Sequence, residues 1–204
     1  MGFMKTSASF TRYRIISEIP DGLWSELADR LRRNRFRDID DTADERSFGW
    51  VSYDNWLDAN FKEAPPQKGE YVAFQLRLDT RRVSQAVFKK HFQLALDEAL
   101  AQAREQGRKF VSRDQKKELR EQVALKLRAR TLPIPAVFEV VWNTSTSHVY
   151  LGSTRQQIKN MFEDVFTLTF DLHLEPLTPF YLASSLTPDD RMQVLERVEP
   201  ATFA

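Results

Sequence analysis

Between residues 104 and 130 stand ten cationic side chains: Arg104, Arg108, Lys109, Arg113, Lys116, Lys117, Arg120, Lys126, Arg128 and Arg130. A guanidinium or ammonium placed against a phosphate displaces condensed counterions, so a row of them grips a polyanion without reading its sequence. The surrounding charge sharpens the signal. Residues 81–130 hold 14 basic and 6 acidic residues, a net of +8, whereas residues 1–80 carry −2 and residues 131–204 carry −5 in a chain of total charge +1. Such segregation builds a local positive field while the whole stays near neutral. A plainer reading is a solvated helix pair whose Asp97, Glu98, Glu118 and Glu121 pair with Lys and Arg four residues away. Charge alone leaves both open.

Other chemistries have less to stand on. Five Arg (Arg30, Arg32, Arg33, Arg35 and Arg37) precede the acidic run Asp38, Asp40, Asp41, Asp44 and Glu45. They complement the dipole at a helix C-terminus or contact phosphate, and local pairing with the acidic run accounts for both groups. Asp38-x-Asp40 opens like a calcium loop, but no Gly stands at the sixth position and Gly49 occupies the place of the terminal Glu. Asp114-Gln115-Lys116 has the letters of a metal-dependent nuclease site, yet it falls at a helix start with no strand carboxylate before it. His91, His148 and His173 are isolated from one another and from any triad context. Six Gly form no phosphate-cradling loop, and the absence of Cys removes thiol nucleophiles, iron–sulfur clusters and Cys-type zinc sites. No metal, cofactor or catalytic residue is expected. Trp24, Trp50, Trp56 and Trp142 lie among apolar residues and read as core anchors rather than base-stacking platforms.

The elements that must position the cations follow from periodicity. Ser84 opens a helix to about Gln106, with Phe88, Phe92, Ala95, Leu96, Ala99 and Ala103 on one face. Gly107 ends it as a left-handed residue. Ser112 starts a second helix to about Arg130, helped by Asp114 and Gln115, and Leu132-Pro133-Ile134-Pro135 stops it. On this helix Arg113, Lys116, Lys117, Arg120 and Arg128 share an arc of about 120°, beside Leu119, Val123 and Leu127. Around this module the chain predicts a strand Ser7–Ile16, a helix Leu23–Arg33, and strands Ser47–Val51 and Tyr71–Leu78. After it come a hairpin of Ala136–Asn143 and His148–Leu151, a helix from Thr154 to Phe166, a strand Thr167–Leu174 and a last helix from Pro188 to Val198. The fold class is α+β: a sheet body with packed helices, residues 1–80 and 131–204, into which a basic helical hairpin, residues 81–130, is inserted. No stretch reaches the roughly 18 to 20 apolar residues that span a bilayer.

Together these pieces resemble the RdgC family, bacterial recombination-associated DNA-binding proteins, in a form shortened at the C-terminus. The resemblance is carried by the opening strand Phe10–Ile16, by Ser47-Phe48-Gly49-Trp50-Val51, and by a strand reaching the basic residue Arg77. It continues through Glu105-Gln106-Gly107-Arg108-Lys109, Lys116-Lys117-Glu118-Leu119-Arg120-Glu121-Gln122-Val123 and Leu132-Pro133, then the hairpin begun by Trp142 and the helix up to Phe166. It implies a homodimeric ring around duplex DNA, with little sequence preference, that restrains RecA-driven recombination by occupying DNA. The setting it implies is the cytoplasm and the nucleoid. It implies no catalysis, although exonuclease-like names circulate for the family. Family members run longer, and their C-terminal part helps to close the ring. They also carry a Pro-Arg-Ala-Phe turn after the basic helix, where this chain has Arg130-Thr131-Leu132-Pro133.

The expectation is therefore a non-enzymatic, sequence-tolerant duplex-DNA binder with the ten cations as its contacts. The alternative is a protein-interaction module whose basic hairpin docks an acidic partner or a second copy of itself.

Overall fold

Leu23, Leu27 and Leu31 recur every four residues, and the helix this spacing predicts forms over Leu23–Arg33 (α1) with all three side chains fully buried. The computed structural model in which this is seen describes residue 3 and residues 6–199. Among these residues the chain forms seven strands: β1 (Thr11–Ile15), β2 (Arg46–Ser52), β3 (Gln67–Lys68), β4 (Tyr71–Thr80), β5 (Ile134–Asn143), β6 (His148–Leu151) and β7 (Leu174–Pro176). The sheet order is β2-β4-β5-β6-β1-β7, with β3 paired to β4. The helices are α1, α2 (Gln85–Glu105), α3 (Arg113–Arg130), α4 (Gln156–Phe170), α5 (Pro179–Leu186) and α6 (Met192–Glu196). This is an α+β architecture.

The chain divides into two compact units. The first takes residues up to Arg35, Trp50–Leu76, and the chain from Phe138 onward. In it β1 pairs antiparallel with both β6 and β7, Tyr13 facing Val149 on one side and Pro176 on the other. β5 and β6 make the expected hairpin, with Asn143 opposite His148 across the four-residue turn. Asn143 Oδ1 accepts from the backbone N–H of Ser145 and Thr146, and Ser147 takes a positive φ of 55°. The core is aromatic. Trp50 meets Phe74 edge-on at 4.9 Å, and Trp142 packs against Trp24, Phe166 and Phe170 at 5.0, 5.7 and 5.6 Å. Trp50 and Trp142 are fully buried, whereas Trp56 is 40% exposed.

One boundary differs from the sequence expectation. Thr167-Leu168-Thr169-Phe170 alternates like a strand, yet it is the last turn of α4, and the strand is confined to Leu174–Pro176. Ile158, Phe162, Val165, Phe166, Thr169 and Phe170 continue a single helical face into the core. Within that turn the buried Thr169 hydroxyl is satisfied, donating to the Val165 carbonyl at 2.7 Å and accepting the Trp50 indole N–H at 2.7 Å. Asp171, left-handed at φ 58°, then ends the helix. The helix α5, capped by the Thr178 hydroxyl with Pro179 in its first turn, lies where no element was expected. The last expected helix is a 3₁₀ turn, Asp189–Arg191, followed by α6.

The second unit takes Phe36–Gly49 and Arg77–Val137, so the acidic run shares a unit with the basic helices. Along the end of β4 and the residues beyond it, Arg77, Asp79 and Arg81 alternate onto one face, and all three are buried. Arg77 forms a two-pronged pair with Asp79 at 2.8 and 2.7 Å, and its guanidinium lies 4.1 Å over the Phe36 ring.

Candidate nucleic-acid interface

Two helices cannot enclose each other's apolar faces, and the second unit shows the consequence. The face expected for α2 (Phe88, Phe92, Ala95, Leu96, Ala99 and Ala103) is half-buried throughout, and no α2 residue is fully buried. Opposite it α3 supplies the buried Val123 and Leu127 and the half-buried Leu119. The helices are joined by a turn with defined chemistry. Gly107, at φ 75°, puts its N–H on Arg104 O at 3.0 Å while Arg108 N–H reaches Ala103 O at 2.8 Å, the two crossed bonds of a Schellman ending. Ser112 and Gln115 then close a reciprocal capping box, Ser112 N–H to Gln115 Oε1 at 3.0 Å and Gln115 N–H to Ser112 Oγ at 3.2 Å. Ser84 does less than expected: it stands at the cap of α2, but its side chain makes no capping bond. Its carbonyl accepts from Phe88 N–H instead.

This frame sorts the ten cations by element. Arg104 lies in the last turn of α2, and Arg108 and Lys109 lie in the turn. Arg113, Lys116, Lys117 and Arg120 stand on the first half of α3, and Lys126, Arg128 and Arg130 on the second. Nine are exposed; Arg128 is half-buried. The neutralising pairs that a merely solvated helix pair would make are missing among the described residues. Asp97 accepts from Gln93 at 2.8 Å and Glu118 from Gln122 at 3.2 Å, each four residues away on its own helix. Glutamine amides, not Lys or Arg, answer these two acids. Among the ten, the one ion pair within 4 Å in the described residues joins Arg128 to Glu45 at 2.7 Å. Arg120 lies 5.5 Å over the Phe88 ring, a contact that orients the guanidinium and leaves its charge intact.

The Arg-rich end of α1 behaves otherwise. Arg30 and Arg32 pair back to Glu26 and Asp29 at 3.0 and 2.6 Å, one turn earlier, and donate to the carbonyls of Phe170 and Asn60. In the acidic run Asp38 accepts the Asp40 N–H and Asp44 the Thr42 hydroxyl. Sequence reasoning missed Arg81. This residue is 6% exposed; it donates to the carbonyls of Arg128 (2.7 Å), Asp40 (2.9 Å) and Ile39, and its own N–H goes to Glu45 O at 2.8 Å. Its place in an i, i+2, i+4 series of charged residues with Arg77 and Asp79 was the available signal.

No three His, Asp or Glu side chains come together to hold a metal ion among the described residues. His148 stands across β1 from Arg14. Burial first, then Arg12 and Arg14, holds its imidazole below the ordinary pKa of 6.5. None of the described helices is long and apolar enough to cross a membrane.

The comparison with protein families bears on the whole arrangement. The model of the family described as "Putative exonuclease, RdgC" matches residues 9–185, from just before β1 through nearly all of α5. The chain belongs to the RdgC family. The match takes in α2, the turn and α3 together, so the cation-bearing pair is part of what the RdgC model covers. Membership makes this a recombination-associated protein. No curated protein matches the chain.

Proposed function

We propose that this RdgC family member is a non-catalytic, sequence-tolerant binder of duplex DNA, cytoplasmic and nucleoid-associated. As a ring- or clamp-like homodimer it restrains RecA-dependent recombination by occupying DNA. The observation that carries the reading is the state of the cations on α2, the turn and α3. Nine of ten are exposed and have no carboxylate within ion-pair distance among the described residues. Unspent cations on neighbouring helical turns suit a phosphate backbone, whose charges repeat at short intervals and carry no sequence information.

The family's description carries an exonuclease label, and one experiment addresses both activity and assembly. End-labelled duplex is incubated with the protein in Mg²⁺ or Mn²⁺, and the mass of the protein is measured in solution with and without the same duplex. Intact DNA, and a complex holding two protein chains per duplex, is the expected result. Loss of the label would replace this reading with a nuclease.

A further inference from the structure

Along the helix pair the second unit holds two adjoining hollows of about 470 and 410 Å³ that share Phe88, Ala124 and Arg128. The first is completed by Gln85, Lys117, Arg120 and Glu121, the second by Glu45, Arg81, Arg82 and Val83. The floor is apolar. Phe88 lies parallel to Phe92 at 6.1 Å, and Ala124 leaves the space open. The walls are mainly cationic: Lys117 and Arg120 at one end with the Glu121 carboxylate beside them, Arg82 at the other, and Arg128 common to both. Arg82 is exposed and belongs to neither helix.

What sets this groove apart from an open basic surface is its resident anion. The Glu45 carboxylate lies 2.7 Å from the Arg128 guanidinium, although two-thirds of its side chain is exposed. It is brought there by Arg81, which takes three carbonyls around the acidic run and the end of α3 and ties its own N–H to Glu45 O. A buried guanidinium spent on carbonyl oxygens holds the acidic loop beside the groove; the pair it presents is a surface pair.

We infer that this groove is a phosphodiester subsite, in which a DNA phosphate lies between Arg82, Arg120 and Arg128, and that Glu45 is its built-in competitor, giving up Arg128 when the phosphate arrives. The inference rests on the DNA-binding reading above and adds to it a location, a further contact in Arg82 and a brake. Exchange is cheap, because an exposed ion pair contributes little. The gain is a two-pronged Arg–phosphate contact of a stronger class. Glu45 therefore tempers affinity without blocking it.

A double-mutant cycle on the full chain tests this, using anisotropy of a labelled duplex at low salt. Glu45→Gln should bind about 3- to 5-fold more tightly than wild type, the scale of one surface pair. Arg128→Gln and Arg82→Gln should each bind more weakly, with a salt slope shallower by about 0.9. In the Arg128→Gln background the Glu45→Gln gain should vanish. Urea midpoints of each variant separate loss of fold from loss of contact, and if Arg128→Gln unfolds the control is Asp41→Asn, an exposed acid of the same run with no ion pair among the described residues, which should leave affinity unchanged; a gain equal to that of Glu45→Gln overturns the inference. Unchanged affinity for Glu45→Gln overturns the inference while leaving the DNA reading in place. So does a gain that persists without Arg128, because that is a long-range charge effect. Wild-type protein that binds no duplex overturns the reading itself, and the inference with it.

Discussion

Exchanging Lys116, Lys117 and Arg120 for Glu together should lower duplex affinity by at least about 100-fold at low salt. These three stand exposed on the first half of α3. Removing three phosphate contacts should also flatten the dependence of log K on log salt by about 2.7, at about 0.9 per contact. The triple variant should fold, because Val123 and Leu127, which hold α3 to its unit, lie deeper on the helix and are untouched. Anisotropy titrations across a salt series measure both quantities, and sedimentation of the same samples reports self-association. Loss of binding with unchanged self-association supports the DNA reading. Lost self-association with DNA binding intact would instead make the helix pair a protein-docking module.

The largest expected effect on stability lies in the aromatic core of the first unit. Trp50→Ala should destabilise the protein by about 3–5 kcal/mol, the range for emptying the volume of a buried Trp. Trp50 is fully buried, stacks edge-on to Phe74 at 4.9 Å and to Phe162 at 6.2 Å, and donates its indole N–H to Thr169 Oγ1 at 2.7 Å. A milder comparison separates packing from hydrogen bonding. Trp142 is equally buried, but its indole N–H has no protein acceptor among the described residues. Trp50→Phe should therefore cost more than Trp142→Phe by about 1 kcal/mol, the net worth of one hydrogen bond. Equilibrium urea unfolding followed by circular dichroism reads both. Equal costs would show that the bond to Thr169 adds nothing beyond shape.

Periodicity made much of this molecule legible. Leu23, Leu27 and Leu31 set α1 to its residue bounds, and the six residues assigned to the α2 face are half-buried, as a two-helix contact requires. The turn at Gly107 and the start at Ser112 were readable because both depend on local chemistry, a positive φ and a reciprocal cap. Where a distant partner decides, local pattern fails. Thr167–Phe170 alternates like a strand and is helical, with Thr169 and Phe170 continuing the buried face of α4 and Thr169 meeting Trp50 from another part of the chain. Thr178-Pro179 was a usable helix-start signal that went unread among the apolar residues after it.

The ten cations could be named from charge and spacing, but their partners could not. Asp97 and Glu118 were natural candidates for ion pairs, and the structure gives them to Gln93 and Gln122. Glu45 and Arg128 are far apart in sequence, and Arg81 bonds to the backbone of both. Of the acidic run it is Glu45 that pairs with the basic helices.

The central claim is that exposed Lys and Arg on one helical pair hold a phosphate backbone without regard to base sequence. Equilibrium binding of the wild-type chain to several duplexes of unrelated sequence, each across a salt series, tests it most directly. The account predicts similar affinity for every duplex and a common log–log slope of about −0.9 per phosphate engaged. Affinity that tracks base sequence, or no binding at low salt, would contradict it.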